Sequence, residues 1–144
     1  MKALIVYHSR TGNTKKVADA VAEGLRNKNL DVILKSVNEV RNQDFVDAKI
    51  IGLGSPTHFR TVSAELKKVI DESIEIYGKL KGKKGFALAT SGTKQDGEKC
   101  LNTLFEVLDC HGVKVIDKIL VIGKPSKKDL ERCIEFGKAL VSKL

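Results

Sequence analysis

The sequence predicts an α/β protein with one doubly wound, five-stranded parallel sheet and helices on both faces. Three observations predict it. Short apolar runs alternate five times with segments of helical periodicity, the pattern of repeated strand–helix crossovers. The opening run, Ala3-Leu4-Ile5-Val6-Tyr7, is apolar on both faces, as a central parallel strand covered on each side must be. A hydroxyl-rich turn, Ser9-Arg10-Thr11-Gly12-Asn13-Thr14, joins that strand to a helix. The 144 residues read as one domain spanning 1–144, large enough to bury about two thirds of its unfolded surface without metal or disulfide staples.

The elements follow in order. A strand over Lys2 to Tyr7 leads into a helix with Val17, Ala18, Val21, Ala22 and Leu25 on one stripe, and Asn27 to Asn29 stops it. Asp31 to Val37 alternates in the half-exposed manner of an edge strand. Asn38 to Ala48 is polar and irregular, with a helical turn around Val40 to Phe45, and Lys49 to Gly54 is a third, buried strand. The next helix carries Leu66, Val69, Ile70, Ile74 and Tyr77 in register. A fourth strand, Gly85 to Thr90, is followed by a helix with Leu101, Leu104, Phe105 and Leu108 inward. The last strand is Val113 to Ile122, and Ser126 with Asp129 forms a capping pair that starts a final helix with Leu130, Cys133, Ile134 and Val141 facing the sheet.

The first turn is a phosphate seat. A strand that re-enters at once as a helix leaves main-chain N–H groups aimed at one point, at the positive end of the helix dipole. Ser9, Thr11 and Thr14 add hydroxyls, Asn13 an amide, and Gly12 tolerates φ > 0 or a close main-chain approach. The dinucleotide fingerprint Gly-x-Gly-x-x-Gly and the triphosphate loop Gly-x-x-x-x-Gly-Lys-Ser/Thr are both missing from this chain. A phospho-receiver domain would need acidic residues where His8, Ser9, Gly54 and Ser55 stand.

Composition removes other classes. Cys100, Cys110 and Cys133 are odd in number with no Cys-x-x-Cys spacing, and His8, His58 and His111 are scattered, so no metal site is expected. Cys100 and Cys133 read as small hydrophobes on helices. No apolar run reaches the roughly 20 residues of a membrane span, and no secretory leader is evident, so a cytoplasmic protein is expected. The formal charge of +8 could serve an acidic partner. Without interleaved aromatics or a recognisable motif, nucleic-acid binding is not expected.

From Ile5 to Val21 the residues Tyr7, Ser9, Gly12, Thr14, Ala18 and Val21 fit the opening signature of flavodoxins, which the chain resembles over essentially its whole length. The resemblance implies FMN as cofactor, strand order 2-1-3-4-5, and a site where the loops after Tyr7, Gly54 and Thr90 converge beyond the carboxyl ends of the strands. The second loop, with Gly54, Pro56, Thr57 and Phe59, also resembles that of the tryptophan-repressor-binding-protein-like NAD(P)H:quinone oxidoreductases. The implied cofactor contacts are Ser9, Arg10, Thr11, Gly12, Asn13 and Thr14 in the first loop, Pro56, Thr57, His58, Phe59, Arg60 and Thr61 in the second, and Ser91, Gly92, Thr93 and Asp96 in the third. Asp96 stands roughly where flavodoxins have an outer tyrosine, so stacking falls to His58 and Phe59, and Arg60, in a loop without a carboxylate, either stabilises the anionic reduced flavin by its charge or points into solvent.

Flavodoxins are generally acidic, and the basic balance here departs from them. The function implied is an FMN-binding carrier that moves one or two electrons between redox partner proteins, here ones with acidic docking surfaces, with the oligomeric state open. An FMN-dependent NAD(P)H:quinone oxidoreductase and a non-redox flavin-binding sensor or interaction module are the alternatives. A short chain without room for the oxidoreductases' insertions favours the carrier over a self-contained enzyme.

Overall fold

A computed structural model describes residues 2–144. In chain order the elements are β1 (Lys2–Tyr7), α1 (Asn13–Arg26), β2 (Asp31–Ser36), α2 (Asn42–Asp47), β3 (Ile50–Pro56), α3 (Ala64–Glu72) running into a 3-10 turn (Ser73–Ile76), β4 (Lys84–Ser91), α4 (Lys94–Cys110), β5 (Lys114–Ile122) and α5 (Lys127–Val141). The strands form one sheet in the order β2-β1-β3-β4-β5, with every neighbouring pair parallel, as expected. Parallel neighbours need crossovers, and the helices that supply them cover both faces.

Two apolar layers result. On one face Ala3, Ile5, Phe86 and Leu88 of the sheet meet Val17, Val21 and Leu25 of α1 and Cys133 and Leu140 of α5. On the other, Leu4, Val6, Ile51 and Leu53 meet Phe45 of α2, Leu66 of α3 and Leu101, Leu104 and Leu108 of α4. Helices α1 and α5 touch main chain to main chain. A Cβ on Gly24 would lie 2.0 Å from the carbonyl oxygen of Ile134, and one on Gly137 would lie 2.3 Å from that of Val21.

Four details of the sequence reading change. Ile74 and Tyr77 do not continue the buried stripe: both lie in solvent, and Ile76 is buried in their place. The α-helix stops at Glu72 and tightens to a 3-10 turn, which shifts the facing of every later residue. Phe105 is 41% exposed, because α4 fills its buried stripe with Cys100, Leu101, Leu104 and Leu108. The helix of the irregular segment begins at Asn42 rather than Val40, where the Arg41 N–H donates to the Asp44 carboxylate at 2.8 Å. Strands β3 and β4 also run further than expected, to Pro56 and Ser91, so residues read as loop are held in the sheet.

Candidate functional site

Beyond the carboxyl ends of β1, β3 and β4 lies an open cleft of about 500 Å³, within the range of small-molecule sites. Its lining comes from Arg10, Thr11 and Asn13 of the first loop, Pro56, Thr57 and His58 of the second, Thr90, Ser91 and Gly92 of the third, and Gly123 just after β5.

The first loop is shaped by its own side chains. Gly12 caps α1 at φ +94, with nothing within 4 Å of where a Cβ would sit. The Ser9 hydroxyl oxygen accepts from the N–H groups of Gly12 and Lys15, each at 3.1 Å, which fixes the loop's curvature. The N–H groups of Thr11, Asn13 and Thr14 meet no acceptor among the described residues and stand at the positive end of α1. Thr14 is turned inward, its hydroxyl 2.8 Å from that of Thr90 in a buried pair that ties α1 to the end of β4.

The second loop is a tight hairpin. His58 N–H donates to Thr61 O at 2.9 Å and Thr61 N–H returns to His58 O at 3.0 Å. The turn residues between them, Phe59 (φ 51) and Arg60 (φ 68), are both left-handed, a turn that ordinarily takes Asn-Gly and costs on the order of 1–3 kcal/mol per side-chain-bearing residue. Beneath it Ser55 Oγ donates to Pro56 O at 2.7 Å and accepts from Ser63 N–H at 3.0 Å, so the strained turn rests on a buried base. Thr57 N–H donates to Thr90 O at 2.9 Å, which locks the second loop to the third.

The sequence-predicted residues divide. Arg10, Thr11, Asn13, Pro56, Thr57, His58, Ser91 and Gly92 line the cleft; Ser9, Gly12 and Thr14 lie behind it as its frame. Thr61 closes the hairpin and Thr93 caps α4, its hydroxyl accepting from Asp96 N–H at 3.3 Å. Phe59, expected to stack, is wholly exposed at the tip of the hairpin, next to the lining residue His58. Arg60 donates from Nε to the Asp96 carboxylate at 3.0 Å. The pair is largely exposed and contributes about 0–1 kcal/mol, but it brings a carboxylate to a loop that has none of its own.

Thr90 and Gly123 line the cleft and were missed. Thr90 was read only as a strand end, and Gly123 carries no signal beyond closing β5, where its N–H donates to Ser91 O at 2.8 Å. His8 follows Tyr7 at the end of β1. Its Nδ1 lies 2.8 Å from the Ser63 hydroxyl that caps α3 and 3.5 Å from the Glu65 carboxylate, which couples the first loop to the second. Cys100 lies behind the second loop, its thiol donating to Pro56 O at 3.8 Å. Burial pushes that thiol's pKa up, and pushes Cys133 to about 11, so both stay protonated at neutral pH.

One observation tests whether the residues suit a flavin mononucleotide. The N–H groups of Thr11, Asn13 and Thr14, free of acceptors among the described residues at the head of α1, and the open space over Gly12 and Gly92 make a cradle that suits a phosphate. Thr57 Oγ1, by contrast, is buried away from the cleft on the side of the Cys100 thiol.

The model of the flavodoxin domain family matches residues 4–140. A flavodoxin of Aquifex aeolicus is 34% identical over 96% of this chain and 84% of its own length. An NAD(P)H dehydrogenase (quinone) of Archaeoglobus fulgidus is 28% identical over 91% of this chain and 80% of its own. Among solved structures, a flavodoxin from the domain Archaea superposes with a TM-score of 0.86 at 32% identity, covering 99% of this chain and 98% of the other.

Proposed function

We infer, from the premise that the chain belongs to the flavodoxin family, how the cleft works: the protein binds FMN and carries electrons between redox partners. The bound flavin supplies the redox chemistry, taking up and releasing electrons one or two at a time. The chain's own residues bind, orient and tune. The N–H groups of Thr11, Asn13 and Thr14 hold the phosphate at the head of α1, with Arg10 adding charge. Pro56, Thr57 and His58 form the wall on one side of the ring, and Ser91 and Gly92 line its polar edge. The observation that carries this reading is the convergence of three loops, each tied to the next by hydrogen bonds, on one cleft at the carboxyl ends of β1, β3 and β4.

Among the described residues His58 is the aromatic side chain in the cleft lining, with Phe59 exposed beside it; a flavin without a second stacked ring would be held less tightly by about 1–3 kcal/mol. A face left open would suit a carrier, which needs a partner's redox centre to come close. The net charge of +8 supports partners with acidic docking surfaces, whose encounter it would speed. The free cysteines support a reducing compartment, the cytoplasm. No helix among the described residues is long and apolar enough to cross a membrane.

The second reading, an NAD(P)H:quinone oxidoreductase, is favoured by the likeness to the Archaeoglobus fulgidus protein. One experiment separates the two and tests both. Purified protein loaded with FMN is mixed anaerobically with NADH or NADPH, alone and then with a catalytic amount of a separate flavodoxin reductase. The carrier's visible flavin absorption bleaches only when the reductase is present. Direct bleaching with turnover on a quinone would establish the enzyme instead, and FMN that keeps its full free-state fluorescence on titration would remove both.

A further inference from the structure

The opposite end of the sheet carries lysines that the cleft does not use. Lys2 opens β1, Lys49 precedes β3, Lys84 opens β4 and Lys114 opens β5. Their main chains are joined in sequence: Lys49 N–H donates to Lys2 O at 2.9 Å, Lys84 N–H to Lys49 O at 3.4 Å, and Lys114 N–H to Lys83 O at 2.8 Å. With neighbouring strands about 4.8 Å apart, the row runs about 15 Å along the edge. Lys79 and Lys81, both exposed, stand beside it on the segment before β4. Lys49, Lys79, Lys81, Lys83, Lys84 and Leu144 line a concavity of about 730 Å³ with no carboxylate side chain in its wall.

Lys49, Lys79 and Lys81 lack a carboxylate partner, as do Lys124, Lys127 and Lys128 beyond β5, but only the former line a concavity. Elsewhere Lys15, Lys35, Lys67 and Lys138 are paired with Asp19, Asp44, Asp71 and Glu135. Among the described residues Lys49, Lys79 and Lys81 form no ion pair. Lys83 Nζ donates to the carbonyls of Val46 and Ala48, and Lys84 is engaged by the main-chain oxygen of Leu144. Burial and then the neighbouring Lys49 charge lower the Lys83 pKa, against a smaller opposing effect of Asp47. Crowded like charges are a standing cost that an anionic ligand would relieve.

We propose that this basal groove binds a carboxylate-rich protein segment, held by Lys49, Lys79 and Lys81 at the end of the molecule remote from the cleft. The chemistry selects that ligand over a nucleic acid. The wall has no arginine fork for bidentate phosphate contacts and no aromatic ring for a base to stack on. Mobile ammonium groups on apolar stems, around Leu144, suit Asp and Glu side chains interspersed with apolar ones. The length of β1 puts about 20 Å between groove and cleft, so a bound segment leaves the cleft clear. Its use is then as a tether that raises the local concentration of a redox partner; that use rests on the carrier reading, whereas the binding does not.

The test titrates a Glu-rich decapeptide into ¹⁵N-labelled, FMN-loaded protein at low salt, with oligo(dT) and inorganic polyphosphate as parallel probes. Amide shifts are expected around Lys49, Lys79, Lys81 and Leu144 and not in the first loop. Lys79→Glu with Lys81→Glu should weaken peptide binding about tenfold while FMN titration stays unchanged. Lys99→Glu with Lys118→Glu, which alters net charge equally, should change it less than about twofold. Equal weakening by both double variants would overturn the proposal. So would oligo(dT) or polyphosphate occupying the groove while the peptide does not. Loss of FMN binding in the unmodified protein would instead refute the carrier reading and leave the groove standing.

Discussion

His111 shows how one hydroxyl can set a protonation state. The Ser73 hydroxyl donates to Ile70 O at 2.6 Å, so its oxygen can only accept from His111 Nε2, 2.8 Å away. The proton therefore sits on Nε2. Nδ1 is left bare, buried and without a partner among the described residues. Burial lowers the His111 pKa from its usual 6.5, since protonating Nδ1 would put charge where no acceptor waits. Because the folded value is depressed, the neutral ring's contribution to stability is complete above the unfolded pKa and is lost as pH falls toward the folded one. Urea unfolding should show stability declining below about pH 6.5, and declining less in His111→Phe. An imidazole titration followed by NMR with its midpoint at or above 6.5 would contradict this. His111 was read from sequence only as one of three scattered histidines, because nothing in its neighbours along the chain announces Ser73 across the helix pair.

The elements were more legible than the contacts between them. The capping pair at Ser126 and Asp129 appears as expected, with Asp129 N–H donating to Ser126 Oγ at 3.1 Å and Ser126 N–H to the Asp129 carboxylate at 2.9 Å. The apolar stripe of α1 is buried throughout, since a period of 3.6 residues is a local property. The seam between α1 and α5 was not legible: Gly24 and Gly137 are far apart in sequence, and a helical glycine reads as a weakness rather than as a contact. The carbonyls that a Cβ would strike belong to the facing helix and cannot turn aside. Gly24→Ala and Gly137→Ala should each destabilise the protein by about 1–3 kcal/mol, although alanine is the better helix former by about 1 kcal/mol. A rise in the urea midpoint of either variant would show that the helices have room to part. The same limit explains Ile74 and Tyr77, whose stripe was extrapolated past the place where the helix tightens.

At the scale of the whole molecule, fold and cleft location were legible because the sheet order and the loop positions follow from crossover rules once the first turn is matched to its family. What lay outside reach was the direction of individual side chains on the loops. Phe59 and Arg60 sit on left-handed backbone, a state that neither residue type advertises, and Arg60 reaches Asp96 across 36 positions of the chain. Nor could the charge be placed. Lysines that look evenly spread along the chain stand at both ends of the parallel sheet: Lys2, Lys49, Lys84 and Lys114 where strands begin, and Lys15, Lys16, Lys94, Lys127 and Lys128 in the first turns of the helices that leave the cleft end. A negatively polarised electrode would therefore draw the protein by either pole, and only molecules arriving cleft-down would pass current without a dissolved mediator.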